Sequence, residues 1–218
     1  MEPQFWLQRW EEGRIGFHRD EVNPHLPCHW PRLAVAPPAR VFVPLCGKSL
    51  DLLWLRGQGY RVVGVELSAL AVETFFSEQG LEAGRDRDDT FTRWRCDGLD
   101  IFQGDYFALT PGILGPVDAV YDRAALVALP APMRARYVAH MARVCDGPRP
   151  TLLVTLEFAA ADRAGPPFPV PVAEVEALYG PGWRPEILAT APLDPPGPGG
   201  KGEGRERVWR LMPRPAPG

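Results

Sequence analysis

The chain has no apolar run near the ~20 residues that a membrane-spanning helix requires. Its first ten residues, Met1 to Trp10, are polar and aromatic with no apolar core of the kind an export signal carries. A cytoplasmic protein without a membrane partner is therefore expected. It also lacks a surplus of positive charge: Lys+Arg total 24 against Asp+Glu 27, a formal net charge of −3. Phosphate backbones are bound by basic faces, so no nucleic-acid partner is expected. Cysteine is scarce, with Cys28, Cys46, Cys96 and Cys145 all outside any C-x-x-C pair. That pattern argues against a structural zinc site or thioredoxin chemistry, and the four read as free thiols. No metal is expected.

What is plentiful is proline (26) and glycine (22), concentrated toward the end of the 218 residues. From Ala191 to Gly218 there are 7 Pro and 6 Gly. Proline removes a backbone donor and glycine adds chain entropy, so residues 195–204 are expected to form a mobile loop. The length suits one α/β domain over residues 1–218, with 1–39 as an N-terminal segment.

Apolar runs bounded by turn residues alternate with helical periodicity along the chain. Trp6 and Trp10 are four apart and share a face of a helix spanning Pro3 to Glu12. A short helix is expected around His25 to His29. Strands are expected at 40–44, 61–66, 99–103, 117–121 and 152–158. Helices are expected at 50–58, 70–78, 132–144 and 172–179, the second capped by Ser68. Two late strands fall near 185–190 and 207–212. Alternation of this kind predicts a Rossmann-like α/β fold with a mostly parallel sheet covered on both faces. In such sheets ligands bind at the carboxyl ends of the strands, where the strand order reverses.

The residues at those ends carry the functional signal. Leu45-Cys46-Gly47-Lys48-Ser49 follows the first strand and Glu66 ends the second, 19 residues beyond Gly47. Asp105 follows the third and Asp122-Arg123 the fourth. A glycine-bearing turn followed by an acid suits a ribose-bearing cofactor, since the carboxylate accepts from two ribose hydroxyls. A P-loop is absent: Gly47-Lys48-Ser49 supplies its tail, but Phe42 stands where its first glycine belongs. A dinucleotide would need further glycines to hold a pyrophosphate on helix amides. S-adenosylmethionine carries no phosphate, so one turn glycine suffices, and the series points to a methyltransferase.

Phe5-Trp6, Arg9-Trp10, Gly16-Phe17-His18, Val43 to Ser49, Gly64 to Ser68, Tyr121 to Leu126 and Gly165 to Phe168 together resemble the thiopurine S-methyltransferase family, especially its bacterial branch. The resemblance runs in order from near residue 3 to about residue 180. It implies a monomeric class I methyltransferase with a seven-stranded sheet and an N-terminal helical lid. Trp6 and Trp10 would cover the cofactor. Leu45 and the turn at Gly47 would meet its methionine portion, Glu66 its ribose, and Asp105 and Tyr106 its adenine. Arg123 would lie near both cofactor and acceptor, and Phe17 would face the acceptor ring. Lys48 is expected to face solvent, and His18 is open between a site residue and a structural one. The chain departs from the family at 194–203, which is Pro/Gly-rich rather than charged.

The implied reaction moves the S-adenosylmethionine methyl group to a small aromatic or heterocyclic thiol, with positioning as the main contribution. No His–carboxylate dyad is evident in the sequence, and Arg123 is expected to favour an anionic acceptor electrostatically. Selenium or tellurium oxyanions, halide and thiocyanate are alternative acceptors in a detoxification role. A non-catalytic nucleotide-binding module is the alternative outside enzymes.

Overall fold

The computed structural model describes residues 3–158, 165–193 and 204–215. Apart from Gly204, the loop expected at 195–204 lies outside these residues. The strands are β1 (Arg40–Pro44), β2 (Arg61–Glu66), β3 (Gly84–Arg87), β4 (Thr92–Cys96), β5 (Leu99–Gln103), β6 (Ala119–Arg123), β7 (Thr151–Glu157), β8 (Trp183–Pro192) and β9 (Arg205–Pro213). They form one sheet in the order β3-β4-β5-β2-β1-β6-β7-β9-β8. The core of the sheet is parallel, pairing β5 with β2, β2 with β1, β1 with β6 and β6 with β7. Antiparallel pairs close both sides.

The sheet therefore has nine strands rather than the seven expected. The additional two are the β3–β4 hairpin at the edge beyond β5. Its sequences, Gly84-Arg85-Asp86-Arg87 and Thr92-Arg93-Trp94-Arg95-Cys96, are dominated by charge and have no apolar run to announce them. Trp94 supplies the anchor, stacked on Phe76 at 5.4 Å and covered by the Arg85 guanidinium at 3.6 Å.

Seven α-helices lie within the described residues: α1 (Pro3–Glu11), α2 (His25–His29), α3 (Asp51–Gly57), α4 (Ala69–Glu78), α5 (Pro111–Leu114), α6 (Ala131–Val144) and α7 (Val172–Tyr179). Strand alternation divides the core into two layers. Phe42, Val63, Val65, Phe102 and Leu153 pack with Tyr137 and Met141 of α6 and Tyr179 of α7. Val41, Val43, Val62, Ile101 and Leu152 pack with Leu52 and Leu55 of α3 and Phe75 of α4. Ser68 caps α4, its Oγ accepting the Ala71 amide at 3.2 Å, which ends the loop after β2 within two residues of Glu66.

The strand order reverses at β1, which has β2 on one side and β6 on the other. The loops after β1, β2, β5 and β6 all open at this end of the sheet, and α1 lies across it.

Candidate active site

A cavity of about 510 Å3 lies at the reversal point, within the range of about 300–1,000 Å3 typical of small-molecule and cofactor sites. Trp6, Trp10, Phe17, Leu45, Gly47, Glu66, Asp105, Tyr106 and Arg123 all line it. The fold thus brings together around one space nine residues that lie apart over more than half of the chain.

Glu66 is the polar anchor of that space. It is buried, with Oε2 accepting the Gly47 amide at 2.9 Å and Oε1 accepting the Ser68 amide at 2.8 Å. Burial raises its carboxyl above the ordinary range, and the amides of Ser68, Gly47 and Leu67 oppose that shift by stabilising the anion. Each carboxylate oxygen has two acceptor positions, so these bonds leave capacity for a ligand's hydroxyls.

The turn after β1 is tight. Leu45 and Gly47 both have left-handed φ, 48° and 52°. For Leu45 that conformation is costly, while glycine adopts it without penalty. A side chain at Gly47 would also press on Trp10, since an added Cβ would stand 3.3 Å from the indole. On the other side of the reversal, Ala124 after β6 is held at φ 63°. The turns flanking the crevice thus each contain a non-glycine residue in the left-handed region.

α1 and the loop behind it roof the cavity with aromatic rings. Phe17 meets Trp6 at 5.7 Å and Trp10 at 5.6 Å between centroids, both edge-on. Such pairs add to the area that they bury. Trp10 is buried, whereas Trp6 is partly exposed.

Asp105 caps a short 3-10 turn over Tyr106–Ala108, its Oδ1 accepting the Phe107 amide at 2.9 Å. Tyr106 is buried, stacked parallel to Phe42 at 6.4 Å, and its hydroxyl donates to the Tyr137 carbonyl at 3.0 Å. The Tyr137 hydroxyl in turn donates to Asp122 Oδ2 at 2.8 Å, and Asp122 Oδ1 accepts the Leu126 amide at 3.1 Å. Burial lifts the Asp122 carboxyl to about 6, against these donors. The same burial raises both phenols well above their usual value, so they stay protonated donors. Asp122 precedes Arg123 at the end of β6, and its grip on Leu126 shapes the loop that follows. Among the described residues the Arg123 guanidinium makes no hydrogen bond or ion pair.

A second chamber of about 750 Å3 adjoins the first. Phe17, His18, Arg123, Ala124, Val127, Pro166 and Pro167 line both. Arg9, Arg19, Asp20, Glu21, Leu193 and Glu206 line only the outer one.

Two sequence expectations need correction. Lys48 does not face solvent. Its side chain is only 9% exposed, lines the inner cavity, and donates to both Glu78 oxygens at 2.7 and 2.8 Å. Helix α4 brings that partner from 30 residues away, which no local pattern announces. A His–carboxylate pair also exists: His18 Nε2 lies 3.3 Å from Asp20 Oδ1 at the junction of the chambers. Other lining residues carried no assigned role in the sequence. Met133, Arg136 and Tyr137 come from the amphipathic α6, whose spacing reads as core, and Pro166-Pro167 from a motif without an evident chemical group. Cys46 also lines the cavity, but burial raises its thiol well above normal, so it is an inert wall.

A family model described as thiopurine S-methyltransferase matches residues 1–212. A thiopurine S-methyltransferase of Xanthobacter autotrophicus is 53% identical over 212 residues, covering 97% of this chain and 99% of the relative. One of Pseudomonas entomophila is 53% identical over 188 residues, covering 84% and 85%. Among solved structures, a SAM-dependent methyltransferase from Anabaena variabilis aligns with TM-score 0.62 at 14% identity, covering 97% of this chain and 95% of the other. A Burkholderia thailandensis 1,6-didemethyltoxoflavin-N1-methyltransferase, solved with 1,6-didemethyltoxoflavin and S-adenosylhomocysteine, aligns with TM-score 0.62 at 15% identity, covering 96% and 87%. At such identities the structures establish the class I methyltransferase fold.

Proposed function

Since the chain belongs to the thiopurine S-methyltransferase family, we propose that it transfers the methyl group of S-adenosylmethionine to the sulfur of a small aromatic or heterocyclic thiol. The observation that carries this reading is the pairing of two features across one cavity. A Glu66 carboxylate fixed by the Gly47 and Ser68 amides stands on one side. A guanidinium without a described partner, Arg123, stands where that cavity meets a second chamber.

The donor set fits a nucleoside sulfonium. Glu66 retains acceptor capacity for two ribose hydroxyls. The turn from Leu45 to Gly47 would meet the methionine portion, and Asp105 and Tyr106 would hold the adenine, all four lining the cavity. When bound, the sulfonium supplies a methyl carbon already activated toward nucleophiles. The protein's own part is then to place an acceptor sulfur and exclude water. Trp6, Trp10 and Phe17 close the roof, and their rings suit a flat heterocycle better than a small inorganic anion. Arg123 favours the thiolate, the more nucleophilic form, over the thiol.

The test begins with thermal melts in S-adenosylhomocysteine, with NADH and ATP in parallel. A ligand at 100 times its dissociation constant adds about 2.7 kcal/mol of stability, which is about 5–10 °C for a chain of this size. A shift with S-adenosylhomocysteine alone is expected. Methyl transfer to a thiopurine, to thiophenol and to selenite, tellurite, iodide or thiocyanate then identifies the acceptor class. Transfer to the inorganic anions but to neither thiol would overturn the acceptor proposed here. Binding without transfer to any of them would favour a non-catalytic module.

A further inference from the structure

The chambers meet at His18, a residue that the reaction as described so far does not use. Resting on the methyltransferase reading, we propose that His18, with Asp20 beside it, is the general base that takes the proton from acceptors arriving as neutral thiols.

The placement is specific. His18 lines both chambers, as does Arg123. Its side chain is 12% exposed, so it is a wall of the site rather than a surface group. It follows Phe17, which is lodged against Trp6 and Trp10, and its own amide donates to the Ile15 carbonyl at 2.8 Å. The loop is therefore tied down on the N-terminal side of the imidazole. Asp20, by contrast, is fully exposed, with Oδ1 3.3 Å from His18 Nε2. It offers the imidazolium a counter-charge and connects the ring to bulk water.

The charges around the ring suit a base. Burial holds the imidazole below its ordinary pKa, and Lys48 from the turn after β1 and Arg123 from β6 push in the same direction. Asp20 and Glu78, the latter from the end of α4, oppose them. Arg19 and Glu21 flank the outer chamber and lie 3.5 Å apart as an ion pair. The imidazole is thus neutral and able to accept at neutral pH. The same two cations that keep it neutral also stabilise an anion beside it, which lowers the thiol's own pKa toward that of the base.

The step balances. The thiol S–H bond breaks with its electron pair left on sulfur, and the proton passes to the imidazole. The sulfur then bonds the methyl carbon as the carbon–sulfonium bond breaks, its pair remaining on S-adenosylhomocysteine. The imidazolium releases its proton to water beside Asp20. A sulfonium cation and a neutral thiol thus give two neutral thioethers and one proton. An acceptor that is already a thiolate skips the first transfer, so the need for His18 rises with acceptor pKa.

The experiment compares the wild-type chain with His18→Gln and Asp20→Asn, using benzyl mercaptan (neutral at pH 7) and 4-nitrothiophenol (ionised at pH 7). Positioned general bases contribute about 100-fold or more. His18→Gln should lose about 100-fold in kcat/KM on benzyl mercaptan at neutral pH, a deficit that closes as pH rises toward the thiol's own ionisation. The loss on 4-nitrothiophenol should be far smaller. Asp20→Asn should shift in the same direction by a few fold. Independently of turnover, benzyl mercaptan added to the wild-type S-adenosylhomocysteine complex should shift the His18 ring resonances, as a ring nitrogen accepts the hydrogen bond of the thiol S–H. Equal losses on both thiols at every pH, or unmoved ring resonances, would overturn the proposal. A wild-type chain inactive on both thiols would instead overturn the function proposed above, and this step with it.

Discussion

Glu66 and Gly47 are joined by a hydrogen bond of 2.9 Å from the glycine amide to the carboxylate. One side chain at the end of β2 thus holds the turn after β1 and presents its remaining acceptor positions to the cavity. Glu66→Gln replaces one oxygen by a donor, which then faces an amide donor. A buried polar group left without its partner costs about 1–3 kcal/mol, and a lost charge-assisted bond weakens ligand affinity by about 10-fold or more. Urea unfolding and S-adenosylhomocysteine titration of the variant should show both losses. Unchanged affinity would remove Glu66 from the cofactor site.

Asp122 gives stability a pH dependence. Its carboxyl is raised from 3.8 to about 6, so the folded state keeps a proton that the unfolded chain has lost across that window. The stabilisation is complete below the unfolded value and disappears as pH rises through about 6. Glu66, raised by burial as well, adds with the same sign. At about 1.36 kcal/mol per pKa unit, the Asp122 contribution is on the order of 3 kcal/mol. Asp122→Asn cannot titrate. Its stability relative to wild type should therefore improve by that order between about pH 4 and pH 7, read from denaturant midpoints. A flat difference would contradict this assignment.

Gly64 is required by Cys46. An added Cβ at Gly64 would stand 2.7 Å from Cys46 Sγ, tighter than real contacts permit. Gly64→Ala should cost about 1–3 kcal/mol by overpacking. In a Cys46→Ala background most of that cost should vanish, because the Cys46 Cβ lies at 3.4 Å from the same point. Additive effects in the double-mutant cycle would place the strain elsewhere.

The aromatic roof also makes a quantitative prediction. Phe17→Ala removes two edge contacts, each worth about 0.5–1.5 kcal/mol. Trp10→Ala removes a buried indole at about 3–5 kcal/mol. Trp6 is more exposed, so Trp6→Ala should cost less stability than Trp10→Ala while still weakening S-adenosylhomocysteine binding. Calorimetric titration beside thermal melts separates the two effects.

The sheet edges discourage association by strand addition. β8 carries Pro185 and Pro192 and a register shift between Ile187 and Ala189. β3 exposes Arg85, Asp86 and Arg87. Proline, bulges and charge all discourage strand addition. Sedimentation equilibrium should give the mass of one 24.1 kDa chain, and a dimer would direct attention to another surface.

Apolar runs and helical spacing were enough to place β1, β2, β5, α4 and α7 within a residue of where they form. Those segments bury a continuous face, and burial is what an apolar pattern records. The rule that ligands sit at strand ends then marked Gly47, Glu66, Asp105 and Arg123, because strand boundaries are local. The β3–β4 hairpin was not legible. Its charged residues are held by neighbours, as when Arg93 meets Asp100 at 2.8 Å across to β5, and sequence alone does not record that pairing. Lys48 read as a surface charge until Glu78 on α4 paired with it. His18 read equally well as structural or functional until the fold set it between two chambers with Arg123. Local sequence determined which segments bury themselves and which acids end strands. Tertiary structure decided which distant charges meet, because that depends on packing between elements that no local pattern encodes.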